Sequence, residues 1–432
     1  MSDRQGTRPK TPRSQPTPAV VASTRPERSD SRGRVLRWTV WTLSLALVGL
    51  NAWWTWGDWS LGDMKAIDAS IARGKLDEAE QALRTRLRWS PSDGDARTKL
   101  ARILAQRGDQ LDCARELHEV PSWWPSKSES SFLEAQAFKR VSHAREAEAA
   151  WLACIADDPL HPAPPNLFAG AAKELVALYV LEGRLDEARK TLWRAYDQAT
   201  PIERPGVLAM RVRAELERIA HEEAVAKLRG YIEADPQDWD ARRALALEEQ
   251  AIGNGEAADR VLNDCLQSRP DDIKARQAQL EILQQRGNMD EARAVIDRLP
   301  SEADQDAKIW MYRGLVRQSE RDDPGAFEAF RRSVELSPNE ADTLYKLGMV
   351  EQRLGKTDQA RDHIARSREL HQAYANLSGA YQAFLDQTRK EPRDEAGYRE
   401  SIEKVASLCQ TLGWQRVADA WRLELAPGRP GP

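Results

Sequence analysis

The chain has 432 residues, which is too long for a single hydrophobic core, and its formal net charge is −4. Charged residues make up 31% and aromatic residues 7%, a composition typical of long amphipathic helices rather than of sheets. Residues 1–37 hold nine of the 64 Arg and Lys but only three of the 68 Asp and Glu, so the remainder is acidic. An acidic body argues against nucleic acid as the main partner, because phosphate binding needs a basic face.

The N-terminal segment, residues 1–34, is rich in Pro, Ser, Thr and Arg. Such a segment buries too little apolar surface to offset the entropy of ordering it. We therefore predict a disordered basic tail over residues 1–34.

Residues 38–57 form a continuous uncharged stretch. Twenty helical residues span about 30 Å, the thickness of a bilayer's hydrocarbon layer, so a transmembrane helix is predicted over residues 35–58. The alternatives are a buried core helix and a cleaved signal peptide, which would put bulky Leu50 where a small residue is expected. Tryptophans at both ends are typical of interfacial belts: Trp38, Trp41, Trp53, Trp54 and Trp56. The pattern favours an uncleaved anchor that contacts the lipid bilayer through residues 38–57.

The charges on either side of this stretch differ in sign. Arg34 and Arg37 precede it, whereas Asp58 and Asp63 follow it. Because positive charge stays on the cytoplasmic side, we predict a single-pass inner-membrane protein with a cytoplasmic N-terminus and periplasmic repeats. Free thiols are unusual in an oxidising compartment, and this argues against that topology. The four cysteines are Cys113, Cys154, Cys265 and Cys409.

A fixed period runs through the rest of the chain. One alanine recurs at equal intervals, with glycine earlier or proline later at a constant offset in most copies: Ala224, Ala258, Ala292, Ala326 and Ala360. Looser copies surround Ala79 and Ala188, and "GRLDEARKTLWRA" from Gly183 closely repeats "GKLDEAEQALRTR". Glycine suits a left-handed turn between two helices, alanine allows the helices to approach closely, and proline stops the second helix.

This punctuation and a period of about 34 residues resemble the tetratricopeptide repeat family. The resemblance implies an all-α solenoid of about nine to ten helix–turn–helix repeats, stacked to form a concave groove that binds proteins or extended peptides. It also implies these packing positions: Ala79, Ala188, Ala224, Ala258, Ala292, Ala326, Ala360, Gly183, Gly287, Gly348 and Gly355.

Interruptions in the period indicate how the array is divided. Proline-rich segments at 119–130 and 158–166 forbid helix, so N-terminal repeats are predicted over residues 60–160 and a main array over 166–372. The last alanine of the period is Ala418. Its distance from Ala360 exceeds one period, and the extra residues are enough to form one further helix. We therefore expect one extra helix over residues 373–389 and a degenerate repeat within residues 373–427.

No motif in the sequence indicates catalysis, a cofactor or a metal site. The cysteines form no CxxC, the six histidines form no HExxH, and no glycine-rich phosphate loop occurs. We therefore predict a protein that is not an enzyme.

One polar position recurs beyond the needs of packing. Glutamine recurs once in each period at Gln250, Gln284, Gln318 and Gln352. The family resemblance places this position on the concave groove, where an amide can both donate to and accept from a peptide backbone. The alternative is that duplication copied an inert surface residue.

The functional hypothesis is a membrane-anchored scaffold that assembles proteins at the outer face of the inner membrane. Two alternatives remain open at the level of sequence. One is a cytoplasm-facing quality-control or regulatory adaptor, and the other is a non-catalytic subunit of an envelope enzyme complex.

Overall fold

Helices account for every regular element in the part of the chain that the structure describes. The structure is a computed structural model, and it describes residues 48–49, 63–156, 162–217, 219–390 and 394–425. The chain divides into two units, Met1–Ala66 and Ile67–Pro432, and nearly all described helices lie in the second. The all-α prediction is confirmed for these ranges.

Twenty α-helices follow one another from residue 63 onward in the described ranges. Odd-numbered helices are the first, and even-numbered helices the second, of successive pairs. In chain order they are α1 (Met64–Ala72), α2 (Leu76–Trp89), α3 (Gly94–Arg107), α4 (Gln110–His118), α5 (Lys127–Arg140), α6 (Ala144–Cys154), α7 (Pro165–Leu181), α8 (Leu185–Gln198), α9 (Arg204–Leu216), α10 (His221–Ala234), α11 (Trp239–Ala251), α12 (Gly255–Ser268), α13 (Ile273–Arg286), α14 (Met289–Ile296), α15 (Ala307–Ser319), α16 (Asp323–Leu336), α17 (Ala341–Arg353), α18 (Thr357–Thr388), α19 (Glu395–Thr411) and α20 (Gln415–Leu423), with a short 3₁₀ helix, Ser301–Gln305, before α15.

The turn inside most pairs has a residue in the left-handed region. Gly183 has φ 69° and Gly287 has φ 76°, values that cost glycine little because it lacks a Cβ. Ser142 and Arg321 occupy the same position in their own repeats, with φ 62° and 61°. The turn geometry therefore persists where the glycine of the period is absent.

The alanines of the period and Gly348 lie where two helices touch, whereas the predicted packing positions Gly183, Gly287 and Gly355 are turn residues with no atom within 4 Å of a Cβ built on them. All seven predicted packing alanines are buried, with exposures of 0–3%. A Cβ on Gly348 would lie 2.7 Å from Ile364 Cγ1, and one on Gly314 would lie 2.5 Å from the Phe330 ring. Any side chain at either glycine would force the two helices of its pair apart.

One pair departs from this arrangement. Helix α9 packs on α7, α8, α18 and α20, whereas α10 packs on α11. The two helices of the α9–α10 pair therefore diverge instead of forming a packed hairpin.

The C-terminal helices return to α9 and pack against it. Leu208 and Val212 of α9 belong to the same continuous core as Cys409 and Trp421. Tyr374 Oη of α18 donates a hydrogen bond of 2.7 Å to the Glu215 carbonyl. We call this contact of α9 with α18 and α20 the closing seam. The helices that flank the stretch from α10 to α17, namely α9 before it and α18 after it, are thus in contact with each other.

Helix α18 also differs from the expectation. It runs continuously for 32 residues, so the separate helix predicted over residues 373–389 is instead an extension of the second helix of its repeat. The physical reason lies in its composition, because no glycine or proline stands between Thr357 and Ser378 to end the helix.

The membrane prediction is corrected. The tail at residues 1–34 and the span at 38–57, with its five interfacial tryptophans, lie outside the described residues apart from 48–49. In the described ranges no helix combines the length and the apolar character needed to cross a bilayer. Helix α18 is long enough but carries charged residues throughout, such as Asp358 and Arg361. This finding contradicts the predicted single-pass inner-membrane location with its orientation, and it gives no support to the bilayer contact.

Candidate interaction surface

The four recurring glutamines lie near the ends of the first helices α11, α13, α15 and α17. Gln284 and Gln352 are exposed, whereas Gln250 and Gln318 are half-buried. Gln250 Oε1 accepts hydrogen bonds of 2.6 and 2.9 Å from the Arg286 guanidinium of the following repeat. The other three amides make no side-chain hydrogen bond to any described residue. The structure therefore separates Gln250, which links two repeats, from the other three.

Arg286 fixes the environment of Gln250. Its guanidinium also forms an ion pair of 2.9 Å with Asp259 and donates a hydrogen bond of 3.1 Å to the Gly255 carbonyl. A planar guanidinium suits such fixed, multiple contacts better than an ammonium would. Gln250 thus belongs to a joint between neighbouring repeats, and the prediction that it binds a peptide backbone now applies better to the other three.

A second recurring position, missed in the sequence, holds buried carboxylates. Glu215, Glu249 and Glu351 share one phase of the period, and their exposures are 8%, 1% and 2%. Glu249 and Glu351 directly precede two of the glutamines. The shared spacing was the available signal, but it was hidden because Asp and Glu occupy exposed faces throughout the chain.

Each buried carboxylate has its own partner. Glu249 accepts from Arg229 at 2.5 Å, and Glu351 bonds His363 Nδ1 at 2.8 Å. Glu215 accepts from Arg189 at 2.8 Å and from Arg211 at 2.6 Å. Burial by itself would raise the pKa of Glu215, but the two guanidinium groups hold it below its ordinary value. Of the three, only Glu351 directly precedes an exposed glutamine, Gln352.

A denser polar cluster joins three pairs around Arg184. Its guanidinium contacts Glu148 at 2.7 Å, Glu182 at 2.9 Å and Asp240 at 3.8 Å, on or beside helices α6, α7 and α11. Its carbon centre lies 4.5 Å from the Tyr179 ring centroid, and Tyr179 Oη donates to Glu148 at 2.9 Å. With Glu187 at 3.9 Å, this one cation is shared among four acids, and no acid has it alone.

Glu182 is the least favourably placed of these acids. Burial and the nearby Asp238 carboxylate raise its pKa to about 8, although Arg184 acts in the opposite direction. Asp238 is itself fully buried: its Oδ1 caps α11 at Ala241, and its Oδ2 has no hydrogen-bond partner among the described residues. Burial likewise raises the pKa of Asp238.

Replacing Glu182 with glutamine should therefore change the pH dependence of stability. The folded-state pKa lies above the ordinary value of 4.5, so wild type loses stability as pH rises from about 4.5 through 8. Glu182→Gln should have a melting temperature close to that of wild type at pH 5 and a higher one at pH 9. At pH 9 its free energy of unfolding should exceed that of wild type by on the order of 1 kcal/mol or more, since one pKa unit corresponds to about 1.4 kcal/mol.

The matched control is Glu215→Gln, because the pKa of Glu215 is shifted downward. That substitution should destabilise the protein at both pH values. If the difference in melting temperature between Glu182→Gln and wild type stays constant from pH 5 to 9, the buried carboxyl does not titrate as described.

The described chain is a helical repeat protein: pairs of antiparallel helices, built on one repeating period, that bury a stripe of small and apolar residues against the next pair. The family model of the tetratricopeptide repeat matches residues 251–315. The matched residues hold α12, α13 and α14, so this segment of the chain consists of tetratricopeptide repeats. This confirms the family resemblance.

Solved structures with similar helices include MamA 41-end from Desulfovibrio magneticus RS-1, at 21% identity and a TM-score of 0.31, covering 39% of this chain and 94% of that one. A tetratricopeptide repeat protein from Parabacteroides merdae is 15% identical, with a TM-score of 0.29, and the match covers 66% of this chain and 96% of that one. PilF from Pseudomonas aeruginosa is 17% identical, with a TM-score of 0.32, and the match covers 52% of this chain and 92% of that one. No curated protein matches the chain.

Proposed function

We propose that this chain is a non-catalytic scaffold that binds protein partners along the first helices of its repeats. The observation that carries the proposal is the exposed, unbonded pair Gln284 and Gln352, which occupy the same position two repeats apart. Each amide offers one acceptor and two donated hydrogens, so a row of them suits the backbone of an extended peptide. Recognition of this kind depends on the partner's shape more than on its side chains.

Gln318 belongs to the same row between these two residues. It is half-buried, and its amide makes no hydrogen bond to a described residue. Gln250 does not belong to the row, because Arg286 already occupies its oxygen. The proposed contact surface therefore comprises helices α13, α15 and α17.

Removing the three free amides should weaken partner binding. Each amide–backbone hydrogen bond contributes a net of about 0.5–1.5 kcal/mol, so Gln284→Ala, Gln318→Ala and Gln352→Ala together should weaken binding by roughly tenfold to a thousandfold. The measurement is the dissociation constant of a partner first recovered by crosslinking. Helicity and melting should stay close to wild type, because these side chains pack against little.

The matched control replaces Gln267 and Gln359, which are exposed glutamines on the second helices α12 and α18. Substituting both with alanine should leave the dissociation constant unchanged. If the triple variant binds its partner as tightly as wild type does, the repeated glutamines are copies without a binding role.

A further inference from the structure

A cleft opens where helices α9 and α10 diverge. It has a volume of about 440 Å³, within the range of sites that hold a small organic ligand, and helices α5, α6, α7, α9 and α10 supply its walls. Most of the lining is apolar, including Trp151, Val176, Leu178, Met210 and Ile219. The cleft exists because α10 does not cover α9 as a hairpin partner would.

The described lining of the cleft holds four cations and three carboxylates. Three lining carboxylates each form an ion pair of 2.6 Å with a cation of the same lining: Glu174 with Lys139, Glu217 with Arg213, and Glu223 with Lys227. The fourth cation, Lys173, is exposed on α7 and has no acidic partner among the residues the structure describes. Among the described lining residues, the positive charge of Lys173 is therefore uncompensated, and it lies beside apolar side chains.

The chemistry of the lining distinguishes between possible occupants. In its described lining no Asn, Gln, Ser or Thr is present, and Tyr231 provides the one neutral hydroxyl. The helix backbones use their own hydrogen-bonding groups internally. A peptide lying in the cleft would leave backbone N–H and C=O groups buried without partners, which is unfavourable. An alkyl chain has no such groups to satisfy.

We propose that this cleft binds an amphiphilic monocarboxylate, with an unbranched alkyl chain against the apolar floor and the carboxylate on Lys173. The single free ammonium matches a single negative charge, and the apolar floor matches the chain. This site is separate from the glutamine row, and the proposal does not depend on the protein-binding function.

The test is equilibrium dialysis of the full chain against dodecanoate below its micellar concentration. Saturable one-to-one binding is expected, with a loss of about fourfold in affinity for each methylene removed from the chain. Lys173→Gln should weaken dodecanoate binding by about two- to fivefold and leave dodecanol binding unchanged, because an exposed ion pair contributes modestly. Ala177→Trp should abolish binding, since Ala177 is an exposed lining residue and a ring there fills the cleft.

Lys190→Gln is the matched control, because Lys190 is also exposed but lies on α8, which does not line the cleft. It should bind dodecanoate as wild type does, and circular dichroism should show that each variant remains helical. Undiminished binding to Ala177→Trp, or affinity independent of chain length, would overturn the proposal. Binding of an apolar acidic peptide in the cleft without any binding of dodecanoate would overturn it in favour of a protein partner.

Discussion

Trp421→Ala will destabilise helices that are distant from it in sequence. Trp421 is fully buried, and its ring packs edge-on against Phe384 with the centroids 4.8 Å apart. It shares a continuous core with Leu208 and Val212 of α9. Removing such a ring costs about 3–5 kcal/mol, and the resulting cavity lies in the core that includes the closing seam. We expect faster hydrogen exchange across α7, α8 and α9 as well as in α18 to α20.

The control is Trp123→Ala, because Trp123 is 60% exposed. It should change the free energy of unfolding by less than about 0.5 kcal/mol. A simple repeat array transmits damage only to adjacent repeats. If loss of protection in Trp421→Ala stays within α18 to α20, the C-terminal helices do not stabilise α9.

The second large effect is expected within the matched repeats. Ala326 is fully buried in a small core with Phe330, Leu347 and Val350. Ala326→Glu would bury a carboxylate without a partner or separate α15 from α16, at a cost of several kcal/mol. Because this core is distinct from the one at the closing seam, hydrogen exchange should rise in α15 to α17 and stay unchanged in α2 to α4.

Ala365→Glu provides the matched control, since Ala365 is exposed on α18. Its unfolding curve in denaturant should overlay that of wild type. If Ala326→Glu loses hydrogen-exchange protection equally in all helices, the repeats unfold cooperatively, which would contradict the separate hydrophobic cores.

The local repeat was predictable because each copy carries its own packing residues. The alanine of each period lies between two helices, and the turn residue adopts a left-handed backbone even at Ser142 and Arg321. These features depend on neighbours within one or two turns of helix. For the same reason the class of fold followed from the period.

Contacts between distant segments were not predictable from the period. Nothing near Glu215 in the sequence indicates that Tyr374 donates to its carbonyl, or that α20 covers α9 while α10 turns away. The glutamines illustrate the same limit, because the period gave their phase but not the Arg286 guanidinium that engages Gln250. The buried carboxylates were overlooked because burial depends on packing rather than on residue type.

Site-specific photo-crosslinking can show directly whether partners bind along the first helices α13, α15 and α17. A photoreactive amino acid would be placed in the full chain at Gln284 or Gln352, and in parallel at Gln267 or Gln359 on second helices. We expect covalent adducts of the same partner from positions 284 and 352 and none from positions 267 and 359. Equal adducts from all four positions, or adducts from the second helices alone, would contradict this expectation.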